Sequence, residues 1–447
     1  MEKILQYAWK WRMYGNADLQ LTDGRKIRIL DPGIHNTSGD GPDFFNAKIL
    51  LDGFEWAGNV ELHVKASDWW RHNHHLDPEY GNIILHVVAV NDATLKRQNG
   101  LPVPQLLFPL KPELVELYTG LIADASVPPP LRCWNKLNSI PSLLLKDAIY
   151  SAAFERLKAK SLHIIHNLRY LDGDLSHACI AAIARALGFG INSQPFEQTA
   201  LRLNINHCSR HSDNPLQLDA LLLGTAGLLS SQPSGAQEYF SRLQSEFAFL
   251  AHKYRITPLN REIWKLSSTR PQNSPYRRLA YLARIIPKAN IIASGITEDT
   301  CNLRTLSQLL DIEFEDFWSN HYSFTYLSPN ISSRALTDST LQLLIINAIA
   351  PLTFAIGLLQ GNARLEEKAA DTLTDLPSEQ NSLIKDWKRV GIKARNAFES
   401  QGLIQLRKQY CDRNECLKCR IGNRLLRCHA LPAQPVPSPE NESYVGM

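Results

Sequence analysis

One short stretch near the N-terminus carries ionisable side chains at a spacing that suits metal-dependent chemistry. Glu61, His63 and Lys65 alternate with valine and leucine. On a β-strand alternate side chains share a face, so these three groups would lie in a row opposite an apolar face. Asp43 lies in the preceding strand segment. Two carboxylates on one face suit Mg²⁺ or Mn²⁺, and a neighbouring Lys or His can orient water or stabilise charge on a phosphate.

The pairing register between the two strands decides whether Asp43 and Glu61 share a face. The dipeptide Asp52-Gly53 predicts a two-residue hairpin turn, and regular pairing from that turn would point Asp43 away from Glu61. A one-residue bulge would bring both carboxylates to the same face. Because glycine tolerates the backbone that a bulge requires, we predict this bulge in the second strand, at Ala57-Gly58-Asn59.

A polar insert at residues 67–80 contains His-Asn-His-His and two adjacent tryptophans. His72 and His74 with Asp77 could bind Zn²⁺ or Mn²⁺, or contact phosphate while the tryptophans stack on bases. The alternative interpretation is a helix cap followed by tryptophans that pack inward. His86, on the next predicted strand, is a secondary candidate because it could point into the same cleft.

Half of the eight cysteines fall close together near the C-terminus. They form a Cys-x4-Cys-x2-Cys-x8-Cys pattern at Cys411, Cys416, Cys419 and Cys428. Flanking lysine and arginine favour the thiolate form, so the pattern predicts structural Zn²⁺ or a [4Fe–4S] cluster, with His429 as a substitute for Cys428. The remaining cysteines are isolated, and we interpret them as core thiols: Cys133, Cys179, Cys208 and Cys301.

Basic side chains concentrate toward the C-terminal end. Residues 385–427 carry 12 Lys and Arg against four Asp and Glu, a local net charge of +8, whereas the whole chain has a net charge of +4. Such a patch attracts a phosphate backbone, although a solvated helix face explains it equally simply. A second basic loop, residues 270–278, includes a predicted helix start that could meet an anion. The nucleic-acid-binding candidates are Arg270, Asn273, Arg277, Arg278, Lys385, Lys388, Arg389, Lys393 and Arg395.

The elements that must position these residues change character near residue 125. A first helix followed by alternating apolar runs predicts a domain of mixed strands and helices over residues 1–125. After a proline-rich connector, helical periodicity dominates residues 126–375. We predict a basic helical segment with the cysteine cluster at residues 376–430, and a disordered, proline-rich tail at 431–447. The fold class is therefore α+β, a mixed-sheet domain followed by a large all-α region.

Composition narrows the class of protein. The chain has 447 residues, 44% apolar and 21% charged, so it can bury a sizeable core. The N-terminus lacks the basic start and apolar run of a signal peptide. The most apolar stretch, residues 341–359, contains Gln342, Asn347 and Pro351, which indicates a buried helix rather than a membrane span. We expect a cytoplasmic protein with reduced thiols and no membrane partner.

The first stretch resembles the PD-(D/E)XK nuclease motif. Pro42-Asp43 precedes a predicted hairpin, and Glu61-Leu62-His63 follows with Lys65. His63 occupies the usual lysine position, and Lys65 lies one pleat further on. The resemblance implies a restriction-endonuclease-like sheet in which Asp43 and Glu61 bind Mg²⁺ or Mn²⁺, and Glu2 would match the acidic residue of the first helix. Several nucleases of this superfamily carry a C-terminal cysteine-held cluster, which favours iron–sulfur over zinc.

A second resemblance covers most of the chain. The segments at residues 41–44, 58–64, 67–69, 72–74, 80–82, 85–88 and 270–275, and the terminal cysteine cluster, resemble the bacterial domain-of-unknown-function family 2851. This resemblance implies a fold but no activity. The leading hypothesis is therefore a metal-dependent nuclease that hydrolyses phosphodiester bonds in nucleic acid. The alternatives are a non-catalytic nucleic-acid-binding protein with a degenerate nuclease fold, and a Zn-dependent hydrolase that uses the His72–His75 cluster.

Overall fold

The computed structural model divides the chain into two compact units. It describes residues 1–14, 18–37, 40–97, 100–108, 110–123, 131, 133–230, 235–267, 270–298, 302–325 and 332–430, with the backbone alone at 123 and at 428–430. The sheet unit comprises residues 1–148 and those from 406 onward, and the helical unit comprises residues 149–405. These boundaries differ from those predicted at 125 and 375, because α-helices near residue 400 pack within the helical unit. The predicted tail at 431–447 and Cys301 lie outside the described residues.

The sheet unit contains a mixed sheet and a few short helices. Its elements in chain order are α1 Glu2–Lys10, β1 Leu19–Gln20, β2 Lys26–Asp31, β3 Ile34–His35, β4 Phe44–Leu51, β5 Phe54–Lys65, α2 Asp68–Arg71, β6 Ile83–Val90, β7 Gln105–Leu107 and α3 Pro112–Ala123. Short 3₁₀ turns occupy Pro78–Asn82 and Trp134–Ser139. The class is thus a mixed α+β fold, as the alternation of strand and helix signals predicted.

The sheet has the order β1-β2-β4-β5-β6-β7, with β3 paired to β4. β4 and β5 form an antiparallel hairpin, whereas β5, β6 and β7 run parallel. Alternation in β5 sends Val60 and Leu62 into the apolar core, where Leu5 and Trp9 of α1 pack with them. The opposite face of β5 therefore carries Glu61 and the imidazole that follows it.

A bulge in the β4–β5 hairpin aligns the two predicted carboxylates. From the turn to the pair Ala47 and Gly58 the register is regular, but Phe44 then pairs with Val60. The extra residue therefore lies on β4, where Asn46 has a φ of 55°, and not in the second strand as predicted. Gly58 serves a different purpose, since a Cβ there would stand 2.4 Å from Cγ2 of Ile84 on β6.

The helical unit is built from helices that pack around one apolar core. Those helices are α4 Ser142–Tyr170, which begins in the sheet unit, α5 Leu175–Leu187, α6 Ser193–Arg202, α7 Ile205–Ser209, α8 Pro215–Thr225, α9 Gln237–Tyr254, α10 Pro275–Ile285, α11 Ala289–Thr297, α12 Leu303–Leu310, α13 Asp338–Leu344, α14 Ala350–Gln360, α15 Ala363–Asp375, α16 Ser382–Arg389 and α17 Ala397–Gln405. A π-helical turn, Ile345–Ile349, joins α13 to α14. Among the described residues, Asp338–Gln360 is the one helix long and apolar enough to cross a membrane, and 78% of its most apolar window is buried. Its burial agrees with the interpretation of this stretch as a core helix.

The chain returns to the sheet unit through the π-helical stretch Leu406–Cys411 and ends its described part in α18, Arg420–Ala430. α18 packs on α3. It also meets α1, because the Tyr7 hydroxyl donates to the carbonyl of Asn423 at 3.3 Å and Arg427 lies over the ring of Trp11. The C-terminal segment is therefore part of the sheet unit rather than a separate domain.

Candidate functional site

Asp43 and Glu61 are bonded to each other across the β4–β5 hairpin. The backbone N–H of Asp43 donates to Oε2 of Glu61 at 3.0 Å. In return, Oδ2 of Asp43 accepts from the backbone N–H of Leu62 at 3.0 Å. Oδ1 of Asp43 accepts from the Gln6 side chain of α1 at 2.7 Å. Both carboxylates are therefore held in fixed positions by the sheet and the first helix.

These two carboxylates share one electrostatic environment with Glu2 of α1. Burial, together with the charge of Glu2, raises the pKa of Asp43 to about 7. Burial, then the charges of Asp43 and Glu2, raises the pKa of Glu61 to about 9. Buried like charges resist ionisation unless a proton or a cation neutralises them. The three acidic residues singled out from the sequence thus converge where a cation would relieve their repulsion.

Imidazoles surround the Glu61 side of this cluster. His63 Nδ1 lies 2.8 Å from Nε2 of His86, and His63 Nε2 lies 3.1 Å from Nδ1 of His72. The ring of His74 stacks on Tyr80 at a centroid distance of 3.9 Å and on His63 at 5.2 Å. If His63 Nδ1–H donates a hydrogen bond to Nε2 of His86, the lone pair of His63 Nε2 faces Glu61 and His72.

Burial keeps these imidazoles neutral. Burial and then the nearby His86, His74 and His72 lower the pKa of His63 to about 2. Burial and then His72 lower the pKa of His74 to about 4, and burial lowers the pKa of His86 to about 3. Neutral imidazole is the form that binds metal ions.

The carboxylate and imidazole atoms of this cluster stand at separations close to those of a metal coordination shell. Oε1 of Glu61 lies 3.4 Å from Nε2 of His74 and 3.6 Å from Nε2 of His63. Ligands bound tetrahedrally at about 2.0–2.1 Å stand about 3.3 Å from one another. The donor atoms of His63, His72 and His74 all lie within 4.8 Å of one another. His74 Nε2 is buried and makes no hydrogen bond within the described part of the chain. This donor set of one carboxylate and imidazole nitrogens fits a divalent transition-metal ion.

A pocket adjoins the imidazole cluster on the side of the insert. Its lining residues carry buried nitrogen atoms that make no hydrogen bond among the described residues: Nε1 of Trp69, Nδ1 of His75 and Nε of Arg97. Tyr80 and His74 complete the wall, together with Asp77. The Asp77 carboxylate is engaged locally, because it accepts the Glu79 backbone N–H at 2.9 Å and begins the 3₁₀ turn. The indole N–H of Trp69 and the guanidinium of Arg97, beside the ring of Tyr80, suit an anionic ligand.

Lys65 is placed apart from the carboxylates. It pairs with Val90 at the end of β5, four residues beyond Glu61, which corresponds to about 13 Å along the strand. Its side chain is exposed, and its charge acts on Asp92. Asp92 in turn holds the hydroxyl of Ser67 at 2.7 Å, so Ser67 does not cap α2 with its side chain. The structure therefore brings His63, but not Lys65, to Asp43 and Glu61.

The basic candidates of the helical unit have mixed surroundings. Arg277 is buried and donates to the carbonyls of Trp318 and Ser332, so its guanidinium supports the fold. Arg278 is also buried, and burial lowers its pKa to about 9. Arg278, Arg270 and Asn273 line a small pocket of this unit, in which the Arg278 side chain bonds that of Asn273.

The C-terminal basic candidates are exposed, and they all belong to the helical unit. Two of them are paired with acidic neighbours: Arg389 bonds Asp386 at 2.9 Å, and Arg395 bonds Glu399 at 2.6 Å. The exposed residues are Lys385, Lys388, Arg389, Lys393 and Arg395. The basic residues from 407 onward belong to the sheet unit, so the basic segment predicted as one is divided between the units.

Three site residues were missed by sequence reasoning. Gln6 lies one helical turn after Glu2, a spacing that places both side chains on one face of α1 and could have identified it. Tyr80 and Arg97 come into the site only through the fold of the insert and of the chain after β6. Local spacing gives no signal for either.

Comparison with known proteins places the chain in a family. No curated protein and no solved structure matches it. A family model described as "Protein of unknown function (DUF2851)" matches residues 2–382, which include α1, the hairpin and the histidine-rich insert. Because the match covers most of the chain, the protein belongs to the DUF2851 family.

Proposed function

We propose that this protein is a metal-dependent hydrolase of phosphodiester bonds in nucleic acid, with its divalent ion held by Glu61, His63 and His74. The observation that supports it most is the approach of Oε1 of Glu61 to two imidazole nitrogens at 3.4 and 3.6 Å. His72 would add a fourth donor, since its Nδ1 lies 3.1 Å from Nε2 of His63. Asp43 and Glu2 would supply further negative charge beside the ion.

The donor set favours Mn²⁺ or Zn²⁺ over Mg²⁺. Mg²⁺ prefers oxygen ligands and retains several waters, whereas imidazole suits the transition metals. Three of the four nearest donors are imidazole nitrogens. The nuclease hypothesis and the zinc-hydrolase hypothesis therefore share one site, in which Glu61 contributes to both.

The residues around the ion would have different roles in hydrolysis. A bound ion of this class polarises a phosphoryl oxygen and lowers the pKa of a water molecule. Asp43 holds the Glu61 carboxylate through its backbone N–H and keeps Oε1 directed at the imidazoles. Arg97, His75 and Trp69 would donate to phosphate oxygens in the adjoining pocket.

The substrate class follows from the pocket and from the resemblance to nuclease motifs. The pocket combines the guanidinium of Arg97 with the largely buried rings of Trp69 and Tyr80, and a guanidinium in such a recess suits a phosphate. Trp69 and Tyr80 stand edge to face at a centroid distance of 5.8 Å, so the aromatic wall is itself a packed unit. A flexible or single-stranded nucleic acid would reach such a recessed wall most easily.

A matched pair of variants tests the proposal. Glu61→Gln removes the carboxylate ligand, and Glu55→Gln makes the same change on the same strand at an exposed position beside Lys48. We expect wild type and Glu55→Gln to bind Mn²⁺ or Zn²⁺ by calorimetry and to cleave labelled single- or double-stranded DNA or RNA. Glu61→Gln should do neither. Absence of both metal binding and cleavage in the wild type would overturn the proposal.

One observation favours the second candidate, a non-catalytic nucleic-acid-binding protein. Lys65, the lysine that could replace the motif lysine, lies exposed and about 13 Å along β5 from Glu61. The same assay separates the candidates. Tight nucleic-acid binding that is unaffected by Glu61→Gln, with no cleavage under any metal, would establish the binding protein instead.

A further inference from the structure

Four cysteines from distant parts of the sequence line one small cavity in the sheet unit. They are Cys133, Cys411, Cys416 and Cys419, and Leu121, Tyr410 and Gly422 complete the lining. Each of the four thiols is buried, with 6–7% of its surface exposed. No disulfide joins the described cysteines. We propose that these four thiols form a metal centre that binds an iron–sulfur cluster of the four-iron class.

The local backbone presents the three C-terminal thiols from consecutive turns. Cys411 ends the π-helical stretch, and Cys416 and Cys419 lie in the turn before α18. The backbone N–H of Cys419 donates to the carbonyls of Glu415 and Cys416, at 3.1 and 3.3 Å. A Cβ on Gly422 would stand 2.2 Å from the carbonyl oxygen of Cys416, so only glycine lets the first turn of α18 approach this close. The turn is thus held against the helix that follows it.

Cys133 provides the fourth thiol from the other side of the cavity. It lies at the N-cap of the 3₁₀ turn Trp134–Ser139, where its carbonyl accepts the Lys136 N–H at 2.9 Å. Burial, with the nearby Cys419 and Cys416, raises the pKa of the Cys133 thiol to about 12. Burial and the nearby Cys133, Cys419 and Cys416 likewise raise the pKa of Cys411. Four buried cysteines that line one cavity suit a metal centre, because a metal supplies the positive charge that stabilises buried thiolates.

The fourth ligand in this proposal is Cys133, whereas the cysteine spacing predicted Cys428. The Cys428 side chain lies outside the described residues, but its backbone belongs to α18. Cys133, which we interpreted from its isolation as a core thiol, instead lines the cavity directly.

The spacing of the sulfur atoms favours a cluster over a single zinc ion. Thiolates bound tetrahedrally to zinc at about 2.3 Å stand about 3.8 Å apart. Among the described residues no three cysteine sulfur atoms lie within 4.8 Å of one another. A four-iron cluster binds one thiolate at each of its iron atoms, which places the ligands farther apart than one ion does.

Such a centre would join parts of the sheet unit that are far apart in the sequence. It links the segment after α3 to the turn before α18, and closes a loop that contains the whole helical unit. Metal binding by residues that meet only in the folded chain contributes its free energy to folding. The cysteine cavity shares no residue with the proposed hydrolase site, so the two sites can be tested independently.

Metal content decides the proposal. We expect anaerobically purified protein to contain about four iron atoms and four sulfides per chain and to show the visible absorbance of an iron–sulfur cluster. Cys133→Ser should lose most of that iron, whereas Cys428→Ser should retain it. Cys179→Ser, a buried thiol of the helical unit, is the matched control and should also retain it. Zinc without iron, no metal, or iron loss in Cys428→Ser but not in Cys133→Ser would each overturn it.

Wild-type protein provides a second measurement that does not depend on a variant that folds. Alkylation with mass spectrometry should modify Cys133, Cys411, Cys416 and Cys419 after the cluster is removed with a chelator and an oxidant and the cysteines are reduced again to thiols. The same four should be protected after reconstitution with iron and sulfide, whereas labelling of Cys428 should not change. Protection of Cys428 in place of Cys133 would contradict the assigned ligand set.

Discussion

Oε1 of Glu61 lies 3.4 Å from Nε2 of His74, in contact range but without a hydrogen bond between them. The carboxylate comes from β5 and the imidazole from the insert after α2, so this approach joins the sheet to the insert. As they stand, neither atom satisfies the other, because they meet without a hydrogen bond. A cation between them would satisfy both, and their separation is close to the edge of a tetrahedral coordination shell.

The stack of Tyr80 on His74 predicts a positioning effect on metal affinity. Tyr80→Leu keeps much of the apolar volume but removes the ring that stands 3.9 Å from the imidazole. Loss of a group that orients a ligand weakens metal binding about 10- to 100-fold. Tyr80→Phe keeps the ring and should bind Mn²⁺ or Zn²⁺ as wild type does. Calorimetry of both variants checks this, and equal affinities would show that the stack does not orient His74.

The alignment of Asp43 with Glu61 shows how far the sequence alone could lead. Strand alternation and the Asp-Gly turn were enough to predict that a bulge must bring the two carboxylates together. They did not locate it, because both strands contain a residue that accepts unusual backbone geometry. Asn46 at a φ of 55° supplies the bulge, and asparagine is a common residue in that conformation. Gly58 is instead required by its approach to β6.

Other parts of the site depend on distances that spacing cannot give. Alternation places Lys65 on the same face as Glu61, but the strand continues straight and separates their Cα atoms by about 13 Å. Arg277 belongs to the basic stretch 270–278, which was predicted to meet an anion, yet it lies in α10 and is buried against backbone carbonyls. Cys133 lies far from the other three thiols in sequence, so only the fold reveals that it shares their cavity.

The buried carboxylates predict an unusual dependence of stability on pH in the metal-free protein. The pKa of Glu61 is raised from 4.5 to about 9, and that of Asp43 from 3.8 to about 7. The folded state therefore binds more protons than the unfolded state between these limits, and the free energy of unfolding falls as pH rises through them. Urea unfolding from about pH 5 to about pH 9 should show this decline.

Two comparisons separate this effect from ordinary alkaline unfolding. Glu61→Gln removes the group with the largest shift, so its free energy of unfolding should fall less over the same range. Saturating Mn²⁺ or Zn²⁺ should reverse the trend in wild type, since the ion binds the deprotonated carboxylate and competes with the proton. Identical profiles for wild type and Glu61→Gln would show that Glu61 is not the responsible group.

The close contact of Gly58 with β6 predicts that one added methyl group at this position destabilises the fold. In Gly58→Ala the new Cβ would stand 2.4 Å from Cγ2 of Ile84 and 2.8 Å from the carbonyl oxygen of Asn82. Overpacking of this kind destabilises by about 1–3 kcal/mol, and it would displace the strand that carries Glu61. Gly81→Ala meets nothing within 4 Å and should change stability by less than about 0.5 kcal/mol. Urea unfolding of both variants provides the measurement, and equal stabilities would contradict the close contact.

The donor-lined pocket predicts which cation contacts nucleic acid. Arg97 lines the pocket with a buried Nε, whereas its neighbour Lys96 is exposed and does not line it. If Arg97 neutralises one phosphate, Arg97→Gln should lower the slope of log affinity against log salt concentration by about 0.7 for a single strand. Lys96→Gln should leave that slope unchanged. Fluorescence anisotropy with a labelled oligonucleotide, at several salt concentrations and without a cleaving metal, measures both. A smaller slope in Lys96→Gln than in Arg97→Gln would show that the nucleic acid contacts Lys96 and not the pocket.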